Sequence, residues 1–85
     1  MNTAKQIQTA AMASYGDNNG KFVKTDVESN ITTLTTVVSA DIVSTTVSGS
    51  GDQALTINYK SDGKNYTIDI DSAANTYTLQ ENTTQ

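Results

Sequence analysis

The chain has 85 residues, 35% of them hydrophobic, with one Phe, no Trp, no Cys, no His and a net charge of −4. A domain of this size hides only roughly 60% of the surface its unfolded chain exposes, and without cysteine no disulfide reinforces the thin core. The missing His and Cys remove the usual zinc and haem ligands and the usual nucleophile–base pairs. An acidic chain whose only cations are scattered lysines argues against a nucleic-acid surface.

Residues 3–15 predict a helix. Ala4, Ile7, Ala11 and Tyr15 recur at helical spacing, with Lys5, Gln6, Gln8 and Thr9 on the other side. Gly16 and the run "GDNNG" end it by offering left-handed positions. The connection 16–41 contains a second, shorter helical pattern near 25–34, with Thr25 or Asp26 as cap and Val27, Ile31 and Leu34 as its apolar positions. The β-branched run Thr32 to Val38 opposes a longer helix, so irregular chain follows.

From Ile42 the period changes to two. Val43, Thr45 and Val47 alternate first, then Leu55, Ile57 and Tyr59, then Tyr66, Ile68 and Ile70, then Tyr77 and Leu79. Each set is interleaved with polar residues, as in an antiparallel sheet with one buried face. Asp62-Gly63 between two such runs is a hairpin signal. The sheet spans about 42–80, and the polar end 81–85 is expected to fray. The fold class is α+β: one domain, 1–85, with the N-terminal helix packed on a four-stranded antiparallel meander. The expected core is Tyr15, Leu55, Ile57, Tyr59, Tyr66, Ile68, Ile70, Tyr77 and Leu79.

Candidate chemistry is sparse. "GDNNGK" has calcium-type oxygens, but no acid lies two residues before Asp17, and a helix-ending turn explains it. Asp69 and Asp71 share the wet face of one strand, with Asp62 in the preceding hairpin. These three are the weak calcium candidates. Three N-x-[ST] triplets, at Asn30, Asn65 and Asn82, fit chance in so Thr- and Asn-rich a chain. No catalytic set assembles and no cofactor motif is present, so an enzyme is not expected.

The order of elements resembles the globular domain of type IV pilins and the related pseudopilins. "NTAKQIQTAAMASYGDNNGKF" is similar to the exposed half of the pilin spine helix and the turn that leaves it. "NYTIDIDSAANTYTLQ" resembles the last hairpin of small bacterial pilins. The family's diagnostic segment, a Gly before a Phe with a Glu shortly after and an unbroken apolar half-helix, is not in these residues. The resemblance therefore implies that such a half precedes Asn2 in the full-length protein. Many pilins also close their C-terminal region with a disulfide, which hairpin pairing would replace here.

The resemblance implies a homo-oligomeric filament on the bacterial cell surface, built through the helix that carries Ala4, Ile7, Ala11 and Tyr15. Its precursor would sit in the inner membrane, and adhesion, motility or DNA uptake would be roles of the filament. A pseudopilin of a type II secretion system would bind calcium at the acidic strand face. The alternative is a small extracellular binding module that docks its ligand on a sheet edge.

Overall fold

The computed structural model describes residues 3–61, 63–72 and 76–82. Two helices, α1 (Thr3–Asp17) and α2 (Lys24–Leu34), precede four strands: β1 (Ile42–Ser48), β2 (Ala54–Ser61), β3 (Lys64–Asp71) and β4 (Thr76–Asn82). The strands are antiparallel and lie in sequence order, a meander in α+β architecture. The helices form one layer over one face of the sheet.

Helix α1 runs two residues past its expected end, through Gly16 to Asp17. It stops in a six-to-one capping turn. The Asn18 amide donates to the Ser14 carbonyl at 3.0 Å and the Gly20 amide to the Tyr15 carbonyl at 3.0 Å. The left-handed residue between them is Asn19, at φ 60°, with Gly20 following at φ 81°. Asn replaces the usual Gly at this position because its short polar side chain tolerates left-handed backbone.

Helix α2 begins after Val23, so neither Thr25 nor Asp26 is its cap. Asp26 instead reaches back to α1: its Oδ2 accepts from Ser14 Oγ at 2.7 Å and from Asn18 Nδ2 at 2.8 Å. These bonds hold its carboxyl below the usual range, against a smaller opposing effect of burial. Asn30 Nδ2 donates to the Ala10 carbonyl at 3.3 Å, a second tie between the helices. The α2 chain ends where Thr35 folds its hydroxyl and its amide onto the Ile31 carbonyl. Leu34, the last helical residue, faces solvent.

The core joins Ala4, Ile7, Ala10 and Ala11 of α1 to Val27 and Ile31 of α2 and to Leu55, Ile57, Tyr59, Ile68 and Ile70 of the sheet. Phe22, between the helices, closes it against Tyr15, ring centroids 5.1 Å apart. Small side chains on α1 let the helix lie near its partners, and each fully buried Ile, Leu or Phe contributes about 1.5–3 kcal/mol.

Three sheet expectations are corrected. Val43 is not an inward residue: the register steps from Ile42 opposite Tyr59 to Ser44 opposite Asn58. Val43 is the extra residue of a bulge and lies 58% exposed, while Ile42 takes the inner row beside Thr45 and Val47. Leu79 is not core. It stands opposite Ile68 on the inner face yet is 45% exposed, because β4 is an edge strand that the helices leave largely uncovered. Tyr66 and Tyr77 are half-buried at the same flank. The expected frayed end is also shorter, since Glu81 and Asn82 belong to β4, opposite Tyr66 and Asn65. Residues 83–85 lie outside the described residues. Gly63, at φ 76°, has the left-handed geometry its hairpin needs.

Helix layer and sheet are fastened at one corner by Gln53. Its Nε2 donates to the Gly20 carbonyl at 2.5 Å and its Oε1 accepts from the Tyr15 hydroxyl at 2.6 Å. Ser72, at the end of β3, donates its hydroxyl to the Gln53 carbonyl at 2.8 Å and its amide to the same oxygen at 3.2 Å. Beside it the Phe22 amide donates to the Asp52 carbonyl at 3.0 Å.

Two substitutions test this account. Gln53→Ala removes the side-chain bonds to Tyr15, Gly20, Gly51 and Ser72 and is expected to destabilise by about 2 kcal/mol or more. Thermal unfolding checks it at roughly 4–8 °C per kcal/mol. Thr45→Val is expected to do the opposite. Thr45 is 5% exposed and its Oγ1 has no hydrogen-bond partner, so a methyl of the same shape removes a buried unsatisfied oxygen and stabilises by about 1 kcal/mol.

Candidate functional site

The residues expected on the assembly helix divide by face. Ala4, Ile7 and Ala11 are buried in the chain's own core, and Tyr15 is half-buried against Phe22 with its hydroxyl on Gln53. In this fold a neighbouring molecule cannot reach the first three. The outward side of α1 is instead Lys5, Thr9 and Ala13, each exposed and four residues apart, a ridge along the helix. Thr9 folds its hydroxyl onto the Lys5 carbonyl at 3.0 Å, which leaves the ridge low.

The acidic candidates lie on the opposite side of the molecule. Asp69 and Asp71 are exposed on the outer face of β3, while Asp62 lies outside the described residues. Asp69 Oδ1 accepts from Thr56 Oγ1 at 2.6 Å across the β2–β3 pair. Around the two carboxylates a shallow open depression is lined by Ser48, Thr56, Thr76 and Thr78. Among the described residues no group of three acidic or other metal-ligating side chains gathers here or elsewhere. The calcium reading of "GDNNGK" is also redirected: the Asn18 amide is occupied by the Ser14 carbonyl at 2.7 Å and by Asp26. These atoms cap a helix.

The rest of the outer face is a hydrogen-bonded ladder that crosses all four strands. Asn58 Nδ2 donates to Ser44 Oγ at 2.8 Å, Thr67 Oγ1 donates to Asn58 Oδ1, and Asn82 Nδ2 donates to Thr67 Oγ1 at 2.7 Å. Asn58, Thr67 and Asn82, among the alternating Thr and Asn residues legible in the sequence, are thus engaged with one another. A face of this kind, without a cleft, offers no site to exclude water around a reacting group.

On the inner face, Tyr59 and Tyr66 stack with centroids 5.5 Å apart and planes at 22°. Burial pushes the Tyr59 hydroxyl up to about 12, with the neighbouring Tyr66 and Tyr77 phenols adding to the effect. The tyrosines are packing residues: Tyr15 packs against Phe22, and Tyr59 stacks on Tyr66, which has Glu81 opposite it on β4.

Compared with known proteins, the chain matches no family model, no curated protein and no solved structure. No helix among the described residues is long and apolar enough to cross a membrane.

Because the Tyr59 hydroxyl titrates higher in the folded chain than its ordinary value near 10, its stabilising contribution is intact below about pH 10 and is lost as pH rises toward 12. Melting temperature measured across that window is expected to fall, and to fall less in Tyr59→Phe.

Proposed function

We propose that this chain is the globular part of a type IV pilin-like subunit that works by self-assembly into a surface filament. The observation that supports the reading is the layout. An alanine-rich N-terminal helix lies on an antiparallel meander whose strands follow in sequence order, and the connection between them, residues 18–41, carries its own short helix.

In this reading the partners are further copies of the same chain, meeting along the α1 ridge of Lys5, Thr9 and Ala13 rather than along the buried Ala4, Ile7 and Ala11. An apolar half-helix preceding Asn2 anchors the precursor in the inner membrane and bundles at the filament axis after assembly. Assembly adds stability that the thin core of 85 residues does not supply by itself. The outer wall of the filament is the polar face of the sheet. Adhesion, motility or DNA uptake then belong to the filament, and no catalytic step or cofactor is required of the subunit.

The test has two parts. Appendages sheared from the source cells are analysed by mass spectrometry for the peptide that joins Asn2. An apolar segment with an N-methylated first residue supports the reading. A native start at Met1, or a signal-peptide junction there, overturns it in favour of a small extracellular binding module. Second, Ala13→Glu on the α1 ridge is expected to abolish filaments seen by electron microscopy while stability stays within roughly 0.5 kcal/mol of the parent.

A further inference from the structure

The cap of α1 contains a reactive dipeptide. Asn19-Gly20 is the chain's one Asn-Gly pair; every other Asn precedes a larger residue, Asn, Thr, Ile or Tyr. Next to glycine, the backbone nitrogen after an Asn meets the least hindrance in attacking the side-chain amide. Asn19 is exposed, and no described residue hydrogen-bonds its side chain. Its neighbour Asn18 is the reverse case, with its amide held by Ser14 and Asp26.

The nucleophile, however, is held. The Gly20 N–H donates to the Tyr15 carbonyl at 3.0 Å, and the Gly20 carbonyl receives Gln53 Nε2 at 2.5 Å. Gln53 is itself oriented by the Tyr15 hydroxyl at 2.6 Å and the Ser72 hydroxyl at 3.0 Å. A backbone nitrogen must shed its proton to attack, and an N–H committed to a carbonyl does so only when the turn opens.

We propose that Asn19 is a spontaneous deamidation site whose rate is set by opening of the Gln53 fastening. In the open turn the Gly20 nitrogen loses its proton and bonds to Asn19 Cγ. The Cγ–Nδ2 bond breaks and ammonia leaves with the proton, giving a five-membered succinimide. Water then opens the ring at either carbonyl, yielding Asp or isoaspartate. No oxidant, metal or enzyme is needed.

The product does not restore the cap. Either acid places a negative charge at the C-terminal end of α1, where the helix dipole disfavours it. Isoaspartate also inserts a methylene into the backbone between Asn19 and Gly20, which displaces both atoms of Gly20 from Tyr15 and Gln53. One conversion therefore loosens the junction between helix layer and sheet for good.

The experiment incubates the intact chain at mildly alkaline pH and follows residue 19 by peptide mass spectrometry that separates Asn, Asp and isoaspartate. The comparison samples are the same chain in urea and the Tyr15→Phe variant, whose fold is checked by circular dichroism. Hydrogen exchange at the Gly20 amide is measured in parallel. Conversion in the folded chain is expected to be at least about tenfold slower than in urea, in proportion to the Gly20 protection factor. Folded Tyr15→Phe is expected to convert about fivefold faster than the parent, for one lost hydrogen bond. Isoaspartate is expected to appear beside Asp.

Equal rates in buffer and urea, or Asp without isoaspartate, overturn the proposal. So does a urea-to-buffer ratio of parent rates that departs from the Gly20 protection factor by more than about tenfold. That last comparison stands on the parent chain alone and decides the matter even if Tyr15→Phe does not fold.

Discussion

The side-chain amide of Gln53, beside the Phe22–Asp52 backbone bond, joins the helix layer to the sheet by hydrogen bonds. It binds the end of α1 through Tyr15 and the capping turn through Gly20, while its backbone carbonyl receives Ser72 at the far end of β3. The α1 terminus at residues 15–20 and the end of β3 at Ser72, distant in sequence, therefore meet at one residue. Apolar contact pulls the helices onto the sheet but is not directional. The amide supplies the direction, since its donor and acceptor fit only one placement of the α1 terminus against the β1–β2 connection.

A second junction works inside the helix layer. Ser14, Asn18 and Asp26 bring the last turn of α1 to the first turn of α2. The carboxylate also sits in the first turn of α2, where the helix dipole favours negative charge. Ser14 is wholly buried, and its hydroxyl donates to Asp26 while accepting from Asn18 Nδ2 at 3.3 Å. Both junctions lie at the C-terminal end of α1, with the Asn30–Ala10 bond and the packing of Ala4, Ile7 and Ala11 holding the helix farther along.

The sheet was the part most legible in the sequence, for a physical reason. Side chains alternate faces strictly along a strand, so Leu55, Ile57 and Tyr59 and then Ile68 and Ile70 announced both strands and register. Val43 misled because a bulge breaks that alternation without a sequence mark. Leu79 misled because alternation names the face and is silent on how far the covering layer extends. The helix layer was harder. Val27 and Ile31, read as apolar positions of the second helix, joined the core, and so did Phe22 and Val37, which no periodicity marked. Gln53 had no signature at all, since its role exists only once three distant segments meet. The acidic pair was found on the face expected for it, but Asp69 was already bonded to Thr56. Ala4, Ile7, Ala11 and Tyr15 lie on a helix as their spacing indicates, but the first three face the chain's own core and Tyr15 is half-buried against Phe22.

The two margins of the sheet are unlike, and that has a bearing on crowding. At β1 the bulge at Val43 kinks the backbone out of the regular spacing that another strand would need. At β4 the register is unbroken, yet Glu81 puts a charge into the inner row opposite Tyr66. A strand added there would have to cover that carboxylate. One surplus residue on one margin and one charge in the inner row of the other are both features that disfavour edge-to-edge fusion of sheets into amyloid-like ribbons.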